Sequence, residues 1–255
     1  MIPDSVCLRP YEAEDQAQLK DLWCRVFGDP PSLTEEFFRL LPEMGSCFVG
    51  EQAGEILGAA YLIDGLALLS PGEKTVRCGY LYAVAVNAAA RGQGIGAAVS
   101  RGAAALGRAR GAQLLCTLPA ELSLYRWYEE ILSLRWQSTR KRWRSNMLPA
   151  DAEKLTASDY CLRREAILQN VPHMAMNDAA MTFQQRLCEA YGGGLYHADG
   201  LLFCAYREDC QWVIPELLTD CPEAVLPEAF FVETLPYVCS DLPVPDGFIW
   251  NLSFD

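Results

Sequence analysis

Histidine is nearly missing from this chain: only His173 and His197 occur in 255 residues. A Ser–His–Asp or Cys–His nucleophilic site has to use one of them, and no Gly-x-Ser-x-Gly elbow accompanies either. His173 follows Pro172 and His197 sits beside a hairpin turn, so both read as surface or turn residues. Cysteine is plentiful, with 11 residues, but the number is odd and no Cys-x-x-Cys pair occurs. That spacing supports neither a disulfide framework nor a zinc site, so no metal is expected. Long apolar runs are missing too: the best stretch, from Ala53 to Leu69, is broken by Glu55 and Asp64. A membrane span needs about 18 such residues, so no membrane partner is expected. The opening Met1-Ile2-Pro3-Asp4-Ser5 lacks the basic and apolar regions of a secretion signal. The expected location is the reducing cytoplasm. Positive charge is in short supply, with 21 Lys and Arg against 33 Asp and Glu, a net charge of −12. Such a surface repels phosphate backbones, which argues against a nucleic-acid partner. The basic run from Arg135 to Arg144 reads as a strand with one solvated face.

What is present is an ordinary folded composition. Hydrophobic residues make up 51% of the chain, and its length suits two domains of about 100–200 residues each. Val6 to Arg9 reads as a short strand. Leu19, Leu22, Trp23, Val26 and Phe27 follow at helical spacing and stop at Gly28. A second helix is expected over Leu33 to Leu41, ended by Pro42. Cys47 to Val49, Ile56 to Leu69 and Lys74 to Val86 read as strands, the last two an antiparallel pair turned at Ser70-Pro71-Gly72. A helix from Gly94 to Arg110, a buried strand from Ala112 to Leu118, a helix from Glu121 to Leu132 and a strand from Trp136 to Trp143 complete this half. Asn146 to Thr156 reads as a linker. Beyond it, helices are expected over Tyr160 to Gln169 and Ala180 to Ala190. A strand meander follows through Leu195–His197, Leu201–Tyr206 and Gln211–Ile214. The proline-rich segment after Pro215 should be extended, and Gly247 to Phe254 could close it as a strand.

One loop carries chemistry. The strand Tyr80 to Val86 is followed, five residues on, by Arg91-Gly92-Gln93-Gly94-Ile95-Gly96 at the start of a helix. Glycines let backbone approach a ligand, and the unpaired N–H groups of a helix start favour an anion. Gly-Lys-Ser/Thr is absent, which excludes a P-loop. A dinucleotide fingerprint should follow its strand directly and lead to an acid about 20 residues on. Here Asn87 to Arg91 intervene, and Ala112 to Leu118 holds no acid.

Ala83-Val84-Ala85-Val86 followed by Arg91-x-x-Gly94-x-Gly96 resembles the core motif of the GNAT (GCN5-related N-acetyltransferase) superfamily, and the element order agrees through residue 146. The resemblance implies an α/β fold: a mixed, mostly antiparallel central sheet flanked by helices, with a smaller C-terminal α+β lobe. It also implies acetyl-CoA as co-substrate. Backbone N–H groups of Arg91, Gly92, Gln93, Gly94, Ile95, Gly96 and Ala97 would hold its pyrophosphate. The edge formed by Val84, Ala85 and Val86 would pair with the pantetheine arm, and an N–H near Val86 would polarise the thioester carbonyl. A deprotonated primary amine, from a small molecule or a peptide, would attack directly. The family's proton donor to the leaving thiolate is a tyrosine, which aligns best with Tyr128 in Trp127-Tyr128-Glu129; Tyr125 is the alternative, and packing aromatics the plain reading of both. The family usually shows Gly-Phe soon after this tyrosine, where this chain has Ser133-Leu134-Arg135-Trp136. Some use a glutamate as base on the strand before the loop, but Lys74 to Val86 has no carboxylate. Asp64, Glu12, Glu36 and the terminal carboxylate of Asp255 are the remaining candidates.

The expected organisation is an acetyl-CoA-binding domain over 1–146, a linker over 147–156 and a C-terminal lobe over 157–255. The lobe resembles the degenerate second half of bacterial two-lobed members. It either walls the acceptor site or serves as a structural or homodimer-forming extension. Two functions remain open: an N-acetyltransferase acting on a primary amine, or a non-catalytic acyl-CoA-binding or regulatory protein with the same fold.

Overall fold

The computed structural model describes residues 3, 5–220 and 229–250, with backbone only at 234–237. Its contacts divide into two compact units. The first comprises 5–66, Val76–Gln137 and Val238–Pro243; the second comprises Ala67–Thr75, 138–220, 229–237 and 244–250. The boundary therefore falls at Gln137, earlier than the expected linker, and a C-terminal segment returns to the first unit.

Apolar spacing dictates the first two helices. After strand β1 (Cys7–Pro10), α1 (Gln16–Phe27) buries Leu19, Leu22 and Trp23, and left-handed Gly28 ends it. Helix α2 (Pro31–Met44) buries Phe37, Phe38, Leu41 and Met44. It runs through Pro42, which was expected to stop it. Pro42 itself lies on the exposed face, and burial of Leu41 before it and Met44 beyond it holds the helix together across the break. Trp23 packs on Phe37 and Tyr61, with ring centroids 4.4 and 5.1 Å apart.

Strands β2 (Gly45–Gln52), β3 (Glu55–Leu68) and β4 (Val76–Val86) follow as neighbours. Helix α3 (Ile95–Ala109) then crosses to β5 (Leu114–Thr117), which lies parallel to β4 with Cys78 opposite Leu114 and Leu81 opposite Thr117. A Cβ on Gly102 would fall 2.1 Å from the Phe48 ring, so only glycine lets α3 sit this close to the sheet. Helix α4 (Leu122–Leu132) leads to β6 (Trp136–Ser145). Leu62, Leu81, Ile95, Val99, Leu115 and Tyr128 belong to the core beneath α3 and α4.

In the second unit β7 (Glu153–Leu155), within the expected linker, pairs with β9 (Gly194–Ala198). Between them come α5 (Ala157–Leu168), β8 (His173–Met176) and α6 (Asp178–Ala190). β10 (Leu201–Glu208) and β11 (Gln211–Thr219) form a hairpin, giving the order β6-β11-β10-β9-β7. The closing strand is β12 (Phe231–Ser240), whose Cys239 and Ser240 pair with Thr117 and Cys116 of β5 in the first unit. The strand expected over Gly247 to Phe254 reduces, among the described residues, to a single bridge between Ile249 and His173. The fold is thus α/β, a mixed and largely antiparallel sheet flanked by helices; six appear among the described residues.

Candidate active site

The glycine loop begins where β4 ends. Asn87 accepts a hydrogen bond from the Ala89 N–H and caps a 3-10 turn over Ala88–Ala90, which accounts for the four residues between strand and loop. Gly92 and Gly94 take φ of 77° and 79°, the left-handed region that side chains disfavour. Gly94 caps α3, whose first backbone bond runs from the Ala98 N–H to the Gly94 carbonyl. The N–H groups of Ile95, Gly96 and Ala97 therefore have no helix carbonyl to bond, and the helix dipole adds to their positive field. A cleft of about 360 Å³ lies against them, lined by Val86, Ala90, Arg91, Gly92, Gly94, Ile95, Gly96, Ala97 and Trp127. Arg91 is exposed at its rim and is steadied by a 3.4 Å bond from Nε to the Val86 carbonyl. Among the described residues no carboxylate lines this cleft, so its charge suits an anion despite the acidic whole.

Of the loop residues named from sequence, Gln93 is the one that turns away, donating to the Ala89 carbonyl at 3.1 Å. Val84 packs against the core and Ala85 is buried, so their contribution can only be backbone. That backbone is distinctive. β4 and β5 pair up to Leu81 and Thr117, and no pairing continues beyond. Ala83 has φ 50°, a left-handed bulge in mid-strand. The strands part at this point, so the β4 edge from Ala83 to Val86 lies beyond the pairing with β5.

Tyr128 lies beside the parting. It is 7% exposed, and Trp127 meets its ring edge-on at 4.8 Å. Burial pushes its phenol up to about 12, opposed by a hydrogen bond with the Thr117 side chain, so it is a neutral donor at ordinary pH. Thr117 in turn donates to the Leu81 carbonyl at 2.9 Å. Tyr125 packs in the same core, with its hydroxyl sealed from solvent. Sequence reasoning did not find Thr117 or Cys239 next to Tyr128, nor Trp127 as a cleft wall. After this tyrosine, Ser133 adopts φ 60° and Leu134 is buried.

The candidate bases are elsewhere. Asp64 pairs with Arg110 at 2.6 Å, just past the C-terminus of the 15-residue α3, about 22 Å along that helix from the loop. Burial raises its carboxyl, while Arg110 and Arg77 pull it down. Glu12 caps the turn before α1 and Glu36 pairs with Arg39 on α2. Asp255 lies outside the described residues. His173, read as a surface residue, is instead buried, 3.0 Å from Glu165; His197 pairs with Asp220. Among the described residues no group of three His, Cys, Asp or Glu could hold a metal, and no helix is long and apolar enough to cross a membrane.

Comparison with known proteins gives a family match and a shared fold. Residues 8–129 match the family described as an acetyltransferase (GNAT) domain. Solved structures with the same fold include a probable N-acyltransferase from Enterococcus faecalis, 12% identical, TM-score 0.67, covering 92% of this chain and 71% of that one. A GCN5-related N-acetyltransferase from Anabaena variabilis is also 12% identical, TM-score 0.64, covering 92% and 72%. One from Pyrococcus horikoshii, a putative acetyltransferase, is 14% identical, TM-score 0.59, covering 94% and 90%. No curated protein matches the chain significantly in sequence. The fold is that of the acetyltransferase structures it matches. Through residues 8–129 the chain is similar to the GNAT acetyltransferase domain family.

Proposed function

We propose that this protein moves an acetyl group from acetyl-CoA to a primary amine by direct attack, without a covalent enzyme intermediate. The observation that carries the reading is the parting of β4 and β5 after Leu81 and Thr117, with the glycine cradle at one end and a neutral tyrosine alongside. Acetyl-CoA supplies an activated thioester. The N–H groups of Gly92 to Ala97 would hold its pyrophosphate, and Arg91 would add a charge at the rim. The freed edge from Val84 to Val86 would bond the pantetheine amides and offer an N–H to the carbonyl oxygen, a stabilisation often worth several kcal/mol. The amine nitrogen adds to the carbonyl carbon, and the C–S bond then breaks with its electron pair on sulfur. Tyr128 gives its proton to that sulfur and recovers one from solvent, while the nitrogen loses its extra proton to water. General acid assistance of this kind contributes about 10²–10⁴-fold.

A second reading, a non-catalytic acyl-CoA-binding protein, draws support from the lack of a carboxylate among the described residues of the cleft. Calorimetric titration with acetyl-CoA and with NAD tests the shared core: heat is expected with the first alone. Gly94→Glu should weaken acetyl-CoA binding by at least about tenfold, since it forces a side chain into φ 79° and sets a negative charge beside the phosphates. Undiminished affinity in that variant refutes the cradle. Mass-spectrometric detection of acetylated products across a panel of primary amines then separates enzyme from binder.

A further inference from the structure

We infer that Thr117 is the positioning residue for Tyr128, a hydroxyl that holds the phenol at the parting of β4 and β5 and turns to support it once its proton has left. The inference rests on the reading of Tyr128 as proton donor to the leaving sulfur.

Thr117 is suited to this by its place. It is the last residue of β5, 2% exposed, with Leu81 of β4 opposite it on one side and Cys239 of β12 on the other. Two flanking strands fix its backbone, and its β-branched side chain has little freedom at χ1. Its hydroxyl carries one proton, which goes to the Leu81 carbonyl at 2.9 Å. Its oxygen can then only accept from Tyr128, so the resting phenol is aimed by an acceptor anchored to both strands. After the phenol O–H breaks and its proton forms an S–H bond on the leaving thiolate, the oxygen left on Tyr128 is an anion in a buried place. Rotation of the Thr117 O–H from the Leu81 carbonyl to that anion supplies a charge-assisted hydrogen bond, stronger than the neutral one it gives up. The opposition of Thr117 to the burial effect on Tyr128 has this sign. Cys239 and Leu134 share the same buried cluster, so of these neighbours Thr117 alone brings a hydroxyl to the phenol.

Two measurements test this. In the first, fluorotyrosine replaces Tyr128 in the full chain and its ionisation is followed by fluorine NMR. Thr117→Val should lower the ionisation constant about tenfold, the effect of one hydrogen bond, and Thr117→Ser should restore it. An unmoved titration in a folded Thr117→Val protein overturns the inference whatever the activity. In the second, thioester loss from acetyl-CoA is followed with a panel of primary amines. Thr117→Val should reduce kcat about tenfold at an unchanged KM for acetyl-CoA, with Ser rescuing it. In a Tyr128→Phe background the same change should have no further effect. A full additional loss there makes Thr117 merely structural and sinks the positioning role. If Tyr128→Phe itself leaves turnover unchanged, the donor reading fails while the titration still decides the hydrogen bond.

Discussion

Tyr128, the proposed proton donor, sits in apolar surroundings, and burial favours its neutral phenol. Raising a phenol from 10.0 to about 12 also links it to stability. The neutral form is favoured in the folded state, so this contribution is complete below pH 10 and is lost as pH rises toward 12. For a largely buried group, a rise of that size corresponds to about 2–3 kcal/mol. Urea midpoints measured from pH 8 upward should therefore fall more steeply for the native protein than for Tyr128→Phe, with the difference opening above pH 10. Parallel curves refute the raised phenol. In the site, the glycines and the tyrosine were legible from sequence because each requirement is local: a left-handed turn, a helix start, an aromatic at a fixed place in a helix. Thr117 and Cys239 were not, because nothing local marks a residue that matters through a pairing between strands so far apart in the chain.

At the level of elements, the same contrast separates what periodicity reveals from what it hides. α1, α3 and α4 were legible because their apolar residues recur every three or four positions. β11 and β12 were hidden or cut short because Pro215 and Pro236 argue against a strand interior, yet both residues lie within strands here. β8 was missed because its four residues follow Pro172. The end of α4 at Leu132 was legible, although serine is a poor left-handed residue and its φ of 60° at Ser133 is imposed by the turn that buries Leu134. That imposition has a cost of about 1 kcal/mol. Ser133→Gly removes that cost but adds about 0.4–1 kcal/mol of freedom to the unfolded chain, so it should stabilise the protein by up to about 0.5 kcal/mol. Thermal unfolding measures it: a small rise in Tm is expected, and a fall of several degrees places Ser133 outside the strained region.

At the scale of the whole chain, residue order and compact units do not coincide. Every residue assigned to acetyl-CoA lies in the first unit, whereas the second is organised around an ion pair with no assigned part in the chemistry. Arg164 is fully buried on α5 and Glu216 nearly so on β11; the guanidinium Nε lies 3.0 and 3.1 Å from the two carboxylate oxygens, and Tyr160 donates to one of them at 2.9 Å. Arg164 also meets Glu165, which pairs with His173. Such a pair is weak evidence of net stabilisation, but removing one member strands the other charge in the interior. Arg164→Met should therefore cost about 3–5 kcal/mol, and pairing it with Glu216→Leu should recover much of that loss, because no orphaned carboxylate remains. Denaturant unfolding of the two variants checks the order; a double variant less stable than the single one contradicts it. Acetyl-CoA affinity supplies the complementary readout. With the cradle in the other unit, the folded double variant should bind within about twofold of the native protein, the scatter expected where two sites share no partners. A large loss of affinity would place the buried pair in the function as well as in the fold.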